Sequence, residues 1–150
     1  MLSTLRSRVS SVPCWSDAYS IGNEWLDEQH RKLLEIGGKA CDVFAAPAVS
    51  DADFRDLLCD FAETLRAQLT NEEKALARNS YPYLATHIAE HNAFRAAFAE
   101  LLQKADNRSF YRKELLKLIA DFTSNHVLAA DVACKDYLRA RKPAPAQFSC

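Results

Sequence analysis

At 150 residues, with 49% hydrophobic and 26% charged positions, the chain has apolar material for one sizeable core and no room for a second domain. A formal net charge of −1 excludes the clustered basic face that nucleic-acid phosphates require, and no stretch approaches the roughly 20 apolar residues of a membrane-spanning helix. The five cysteines, Cys14, Cys41, Cys59, Cys134 and Cys150, are odd in number and widely spread with no CxxC pair, which speaks against a disulfide framework or zinc knuckle; with no secretory apolar run in residues 1–14, a soluble, cytoplasmic protein is expected.

Residues 1–22 carry Arg6, Arg8 and several serines, and are expected to form an N-terminal arm. From Glu24 to Phe44 the apolar positions Leu26, Leu33, Leu34, Ile36, Ala40, Cys41 and Phe44 recur at intervals of three and four, which predicts an amphipathic helix. Pro47 ends it, and Ser50 or Asp51 supplies an N-cap for the next helix. That second helix follows Phe54, Leu57, Leu58, Phe61, Leu65, Leu69 and Leu76 to about Arg78, where Asn79-Ser80-Tyr81-Pro82 breaks the pattern. Leu84, Ile88, His91, Phe94, Phe98 and Leu101 trace a third helix to about Ala105, and Asp106-Asn107-Arg108 turns the chain. A fourth helix starts near Ser109, faces inward with Leu115, Leu116, Ile119, Phe122, His126 and Val127, and runs to about Ala140 before Pro143 and Pro145. Four helices about 30 Å long joined by short loops give an all-α, up-down-up-down antiparallel four-helix bundle over residues 23–142, followed by a tail at 143–150.

All four histidines, His30, His87, His91 and His126, fall on inward faces of these helices. His87 and His91 are four residues apart, so their rings project from one side of a helix and are spaced to share a metal ion; an isolated pair of this kind is as compatible with hydrogen-bonded core histidines. Gln68 and Glu72 form a second pair at the same spacing, and Glu72 lies nearer than Glu73 to the stripe marked by Leu65, Leu69 and Leu76. A buried glutamate needs a partner, and a metal ion would be one. Asp131, five residues beyond His126, is not on the same face of a regular α-helix, so periodicity does not select it.

Several segments, taken together, resemble the successive signature blocks of the bacterial hemerythrins. They are Trp15-Ser-Asp-Ala-Tyr19-Ser-Ile-Gly22, Leu26-Asp27-Glu-Gln29-His30-Arg-Lys-Leu33, Gln68-Leu69-Thr-Asn-Glu72-Glu73, Tyr81-Pro82 with His87-Ile-Ala-Glu-His91-Asn-Ala-Phe94, and His126-Val-Leu-Ala-Ala-Asp131. The resemblance implies two iron ions joined by an oxo or hydroxo bridge, with His87, His91 and His126 on one iron, His30 on the other, and Glu72 and Asp131 bridging them. It also implies dioxygen or a related small molecule as ligand, in carriage, storage or sensing, and it names no protein partner.

Two positions depart from the family pattern. Gln68 stands where the family's second helix carries a histidine ligand to the second iron, and its amide is expected to coordinate, to hold a water or to hydrogen-bond nearby. Phe122-Thr123 stands where Trp-Leu is common. With Leu33, these two residues are expected at the oxygen pocket, although a threonine bonding back to its own helix is an ordinary alternative. A di-iron oxidoreductase acting on peroxide, nitric oxide or dioxygen is the competing function, and a bundle that has lost one or both metals is a third. Trp15, Tyr19 and Trp25 are expected to pack the arm against the bundle, and Cys134 to be a buried thiol.

Overall fold

The computed structural model describes residues 12–45, 50–104 and 109–139, residues 109 and 110 by their backbone alone. A 3₁₀ turn at Asp17–Tyr19 leads into α1 (Glu24–Ala45), α2 (Asp51–Arg78) and α3 (Leu84–Lys104). The final rod begins as α4 (Ser109–Phe122), passes through a π-helical segment (Thr123–Ala130), and closes with the short turns α5 (Asp131–Ala133) and α6 (Lys135–Leu138). Helix α1 packs on α2 and α4, and α3 on α2 and α4, so the four rods close into the expected antiparallel bundle. The expected helix ends at Ala105 and Ala140, the loop residues Pro47 and Asp106-Asn107-Arg108, the first eleven residues of the arm and the tail at 143–150 lie outside the described residues.

Each boundary has a local cause. The Ser50 hydroxyl accepts the Asp53 N–H at 3.0 Å and starts α2. Asn79 closes the helix and donates its side-chain amide to the Tyr137 carbonyl, tying the α2–α3 connection to α6. The arm enters α1 through Gly22, whose φ of +74° suits glycine and whose missing Cβ leaves room for the Arg139 Cβ. Asp27, buried one turn into α1, accepts the Ser20 hydroxyl at 2.6 Å and the Ile21 N–H at 2.9 Å, while Asn23 donates to the Leu138 carbonyl. Trp15 meets Tyr19 edge to face and carries the Arg31 guanidinium 4.7 Å above its ring, so the arm packs on α1 as expected. Trp25 does not share in this packing: it points outward and is 60% exposed.

The apolar interior forms two clusters. The larger gathers Leu33, Phe54, Leu58, Phe61, Leu65, Leu69, Phe94, Phe98, Leu115, Leu116, Ile119 and Phe122, among others. The smaller, at the opposite end of the rods, is built on Ile21, Leu26, Leu76, Cys134 and Leu138. Along each rod the polar inward residues fall between the two: His30 between Leu26 and Leu33, Glu72 between Leu69 and Leu76, His87 and His91 before Phe94, and His126 and Asp131 between Phe122 and Cys134. A polar layer is thereby held between two apolar ones.

Two substitutions test these causes. Phe61, fully buried and tilted against Phe98 at 5.6 Å, should cost about 3–5 kcal/mol as Phe61→Ala in equilibrium urea unfolding. Ser50→Ala should cost about 1 kcal/mol by the same measurement, because only one capping bond is lost.

Candidate metal centre

Helices α1, α2, α3 and the final rod each send polar side chains into the layer, and none of these residues has more than 5% of its surface exposed. Glu72, His87, His91, His126 and Asp131 each offer one donor atom, and these five atoms lie within 4.8 Å of one another, close enough to hold a metal ion. His30 adjoins the group from α1: its Nε2 stands 3.4 Å from Glu72 Oε2 and 3.4 Å from Asp131 Oδ2. Gln68 lies one helical turn before Glu72 and meets both of these neighbours, its Nε2 donating to Glu72 Oε2 at 2.7 Å and to His30 Nε2 at 2.9 Å.

The two carboxylates divide their oxygens between two sets of nitrogens. Glu72 Oε1 stands 2.7 Å from His87 Nε2 and 3.3 Å from His91 Nε2, while its Oε2 faces His30 and Gln68. Asp131 Oδ1 stands 3.2 Å from His126 Nε2 and 3.5 Å from His87 Nε2, while its Oδ2 faces His30. For metal–ligand bonds of about 2.1 Å, adjacent donors of an octahedron are separated by about 3.0 Å. The separations here, 2.7 to 3.5 Å, surround that value on both sides of the carboxylate pair.

His126 and Asp131 converge because the rod is not a regular α-helix between them. The Asp131 N–H bonds to the His126 carbonyl five residues back, so the turn is wider than an α-turn and five steps return to nearly the same face. The segment starts at Thr123, whose hydroxyl donates to the Ile119 carbonyl at 2.9 Å and the Ala120 carbonyl at 3.0 Å. Bonding of this kind loosens a helix and helps it depart from the α-ladder. The Thr123 hydroxyl is thus engaged by its own helix. Phe122 stacks on the His126 ring, with centroids 4.9 Å apart and planes 9° apart, and also on Phe94, while Leu33 lies in the larger apolar cluster one turn after His30.

Two carboxylates that sequence reasoning did not single out orient the imidazoles from behind. His91 Nδ1 meets Glu73 Oε1 at 2.8 Å, with Arg95 bonded to the same oxygen, and His126 Nδ1 meets Glu90 Oε2 at 3.0 Å. With the Nδ1 protons donated to those acceptors, each ring presents a bare Nε2, and these two nitrogens face each other at 2.8 Å. At that distance two neutral rings with bare Nε2 atoms need a proton or a metal ion to share. Asp131 gives a second sign of the same need: both its oxygens are buried without a hydrogen-bond donor.

The electrostatics follow from burial. Burial, together with the charge of Glu72, pushes the Asp131 carboxyl well above its usual range. Burial works in the same direction on Glu72, but the favourable interaction of its charged form with the imidazoles of His30, His87 and His91 outweighs it and holds that carboxyl well below the usual range. Burial lowers His126, against the pull of Glu72 and Glu90. The two acids are therefore pushed apart, Glu72 toward its charged form and Asp131 toward its neutral form. A divalent ion reverses this balance, since it is attracted by both acids and by unprotonated imidazoles.

This is a four-helix bundle whose interior layer mixes imidazole and carboxylate donors suited to binding metal. The family model described as the hemerythrin HHE cation-binding domain matches residues 21–131, and the chain belongs to the hemerythrin family. It is 26% identical over 121 residues to a bacteriohemerythrin of Clostridium acetobutylicum, covering 78% of this chain and 94% of that protein. It is also 23% identical over 126 residues to a bacteriohemerythrin of Stenotrophomonas maltophilia, covering 84% and 81% respectively. No solved structure gives a significant match.

Asp131→Asn separates binding from stability. An acid whose folded-state pKa is raised favours folding only below its unfolded value, and its penalty grows as pH rises toward the folded value. At neutral pH the metal-free variant should therefore be more stable than wild type by about 1 kcal/mol, seen as a higher melting temperature, while its metal affinity falls. Proton release on adding a divalent metal to the wild-type protein, followed with a pH indicator, should be reduced in the variant.

Proposed function

We propose that the chain is a non-haem di-iron protein that binds dioxygen, for carriage, storage or sensing, at two irons joined by an oxo or hydroxo bridge. The observation that carries the proposal is the division of Glu72 and Asp131, each with one oxygen toward the His87, His91 and His126 set and the other toward His30. In this reading His87, His91 and His126 hold the first iron, His30 holds the second, and the two acids bridge. Membership of a cation-binding family and two bacteriohemerythrin relatives support it.

When bound, the iron pair would supply the electrons that dioxygen accepts. The chain's own residues do the rest. Glu73 and Glu90 fix the tautomers of His91 and His126 and keep their Nε2 atoms bare and basic. Phe122 and Leu33 provide an apolar wall that limits water and proton delivery, which favours release of the ligand unchanged. Engagement of the Thr123 hydroxyl by Ile119 and Ala120 removes one proton donor from that side. A cytoplasmic location belongs to the same proposal, supported by the exposed thiols of Cys14 and Cys59.

A second reading, a di-iron oxidoreductase acting on peroxide, nitric oxide or dioxygen, has one observation in its favour. A cleft of about 200 Å³ reaches His87 from the surface and is lined by Tyr81, Tyr83, Glu90 and Cys134. Water and small reductants have a route to that side of the layer.

The deciding experiment loads metal-free protein with ferrous iron under anaerobic conditions, adds dioxygen and then removes it. Reversible binding predicts two irons per chain and a visible charge-transfer band that appears with dioxygen and fades on its removal over repeated cycles. One-way conversion to the ferric state with consumption of added peroxide or nitric oxide would instead establish the oxidoreductase, and absence of any colour change would refute both.

A further inference from the structure

The two halves of the metal centre differ in donor chemistry. The half on α3 and the final rod offers three imidazole nitrogens, from His87, His91 and His126, with one oxygen each from Glu72 and Asp131. The other half offers a single imidazole, His30 Nε2, with Glu72 Oε2, Asp131 Oδ2 and the amide head of Gln68. Gln68 is fully buried, and its Oε1 has no hydrogen-bond partner while its Nε2 stands among the donors of this second half.

A half-turn of the amide about its last side-chain bond exchanges oxygen and nitrogen, and that torsion is soft and nearly two-fold. Without a cation the amide N–H groups face Glu72 and His30. With a cation the same N–H groups would point at positive charge, and the turned amide would present Oε1 in their place, at the present 2.7 Å and 2.9 Å spacings from Glu72 Oε2 and His30 Nε2. Those spacings match neighbouring ligands on one metal with bonds of about 2.1 Å. The turned state gives the orphaned Oε1 a partner at the expense of the N–H bonds to Glu72 and His30.

The exchange of imidazole for amide oxygen alters which metal the position accepts. Three oxygens and one nitrogen form a harder donor set than the three-imidazole half. Iron(II) outranks manganese(II) at most sites, but carboxylate and carbonyl donors suit manganese, while imidazole suits iron. We propose that Gln68 is a ligand, through Oε1, of an oxygen-rich second metal position that accepts manganese(II) in competition with iron(II), so that the centre loads as a mixed iron–manganese pair when both ions are present. The proposal rests on the two-metal reading of the site given above and specifies the chemistry of its second half.

The test uses full-length metal-free protein, incubated anaerobically with equal and excess iron(II) and manganese(II), desalted and analysed for both metals by mass spectrometry. Electron paramagnetic resonance distinguishes isolated manganese from manganese coupled to iron. Wild type should retain two ions per chain with a substantial coupled manganese component. Gln68→His should retain two ions with a manganese share lower by on the order of tenfold, the scale on which single groups around a metal change its binding. Gln68→Leu, which keeps the volume but removes the donor, should retain the ion of the three-imidazole half and lose most of the other. Two ions in both wild type and Gln68→His with the same manganese share would overturn this proposal and leave the two-metal reading standing. Two ions with the wild-type manganese share in Gln68→Leu would do the same. One ion or none in wild type would overturn the two-metal reading itself.

Discussion

The structure depends on how two buried acids are accommodated. Glu72 and Asp131 are both fully buried, Glu72 beside His30, His87 and His91 and Asp131 beside His30, His87 and His126, and no lysine or arginine is among their described ion partners. Taking a carboxylate out of water costs several kcal/mol even after relaxation, against a total stability of about 5–15 kcal/mol for a typical domain. Glu72 offsets part of that cost with hydrogen bonds from Gln68 and His87. Asp131 has no such donor, and burial pushes its carboxyl toward the neutral form. The bundle tolerates this layer because apolar clusters on both sides of it bury enough surface to hold the rods in place. Binding of a cation then turns a local defect into a gain, so that metal affinity and folding are linked.

The helix register around the layer has the same origin. Three of the rods reach the centre with regular α-helical spacing, as in Gln68 and Glu72 or His87 and His91. The fourth must bring His126 and Asp131 to one place from positions five apart, and only the widened turn of Thr123–Ala130 does so. Thr123 diverts its hydroxyl to the carbonyls of Ile119 and Ala120 at the point where the α-ladder gives way. A helix distorted at this spot is a cost carried for the sake of the site, in keeping with the tendency of strain to gather where chemistry is placed.

The sequence made the bundle legible because three- and four-residue periodicity reports burial directly: Leu26, Leu33, Leu115 and Ile119 are buried as marked, while Phe44, Leu57, Leu84, Ile88 and Leu101 are half-buried. It also indicated a metal site, since four histidines and Glu72 fall on inward faces, and a buried glutamate implies a partner. Asp131 was invisible to that reasoning because periodicity assumes a uniform helix and the rod is not uniform there. Its place was implied only by resemblance. Glu73 and Glu90 were missed for a different reason. They lie at the edge of the layer with one side toward water, so their pattern is that of an ordinary solvated face, and their role appears only when the Nδ1 atoms of His91 and His126 are located. Trp25 shows the converse case: a large aromatic beside the interior Leu26 suggests packing, yet one step along a helix turns a side chain by about 100° and carries it to the surface.

The difference between the halves of the centre extends beyond the donor atoms. His91 and His126 are each held from behind by a carboxylate, which fixes the ring and raises the basicity of the nitrogen that faces inward. His30 has no such support, because its Nδ1 is buried without a partner. Its Nε2 leans on Gln68, whose amide turns about a soft torsion. The three-imidazole half is therefore preorganised, with its ligands already oriented before a metal arrives. In the proposed second position, the His30 and Gln68 half would have to reorganise, turning an amide and giving up two hydrogen bonds. Preorganised sites bind more tightly because less ordering remains to be done at the moment of binding. For the two-metal centre proposed above, an order of filling follows: the half ordered by Glu73 and Glu90 first, and the half containing Gln68 second, with its choice of ion set by the oxygen atoms it would present.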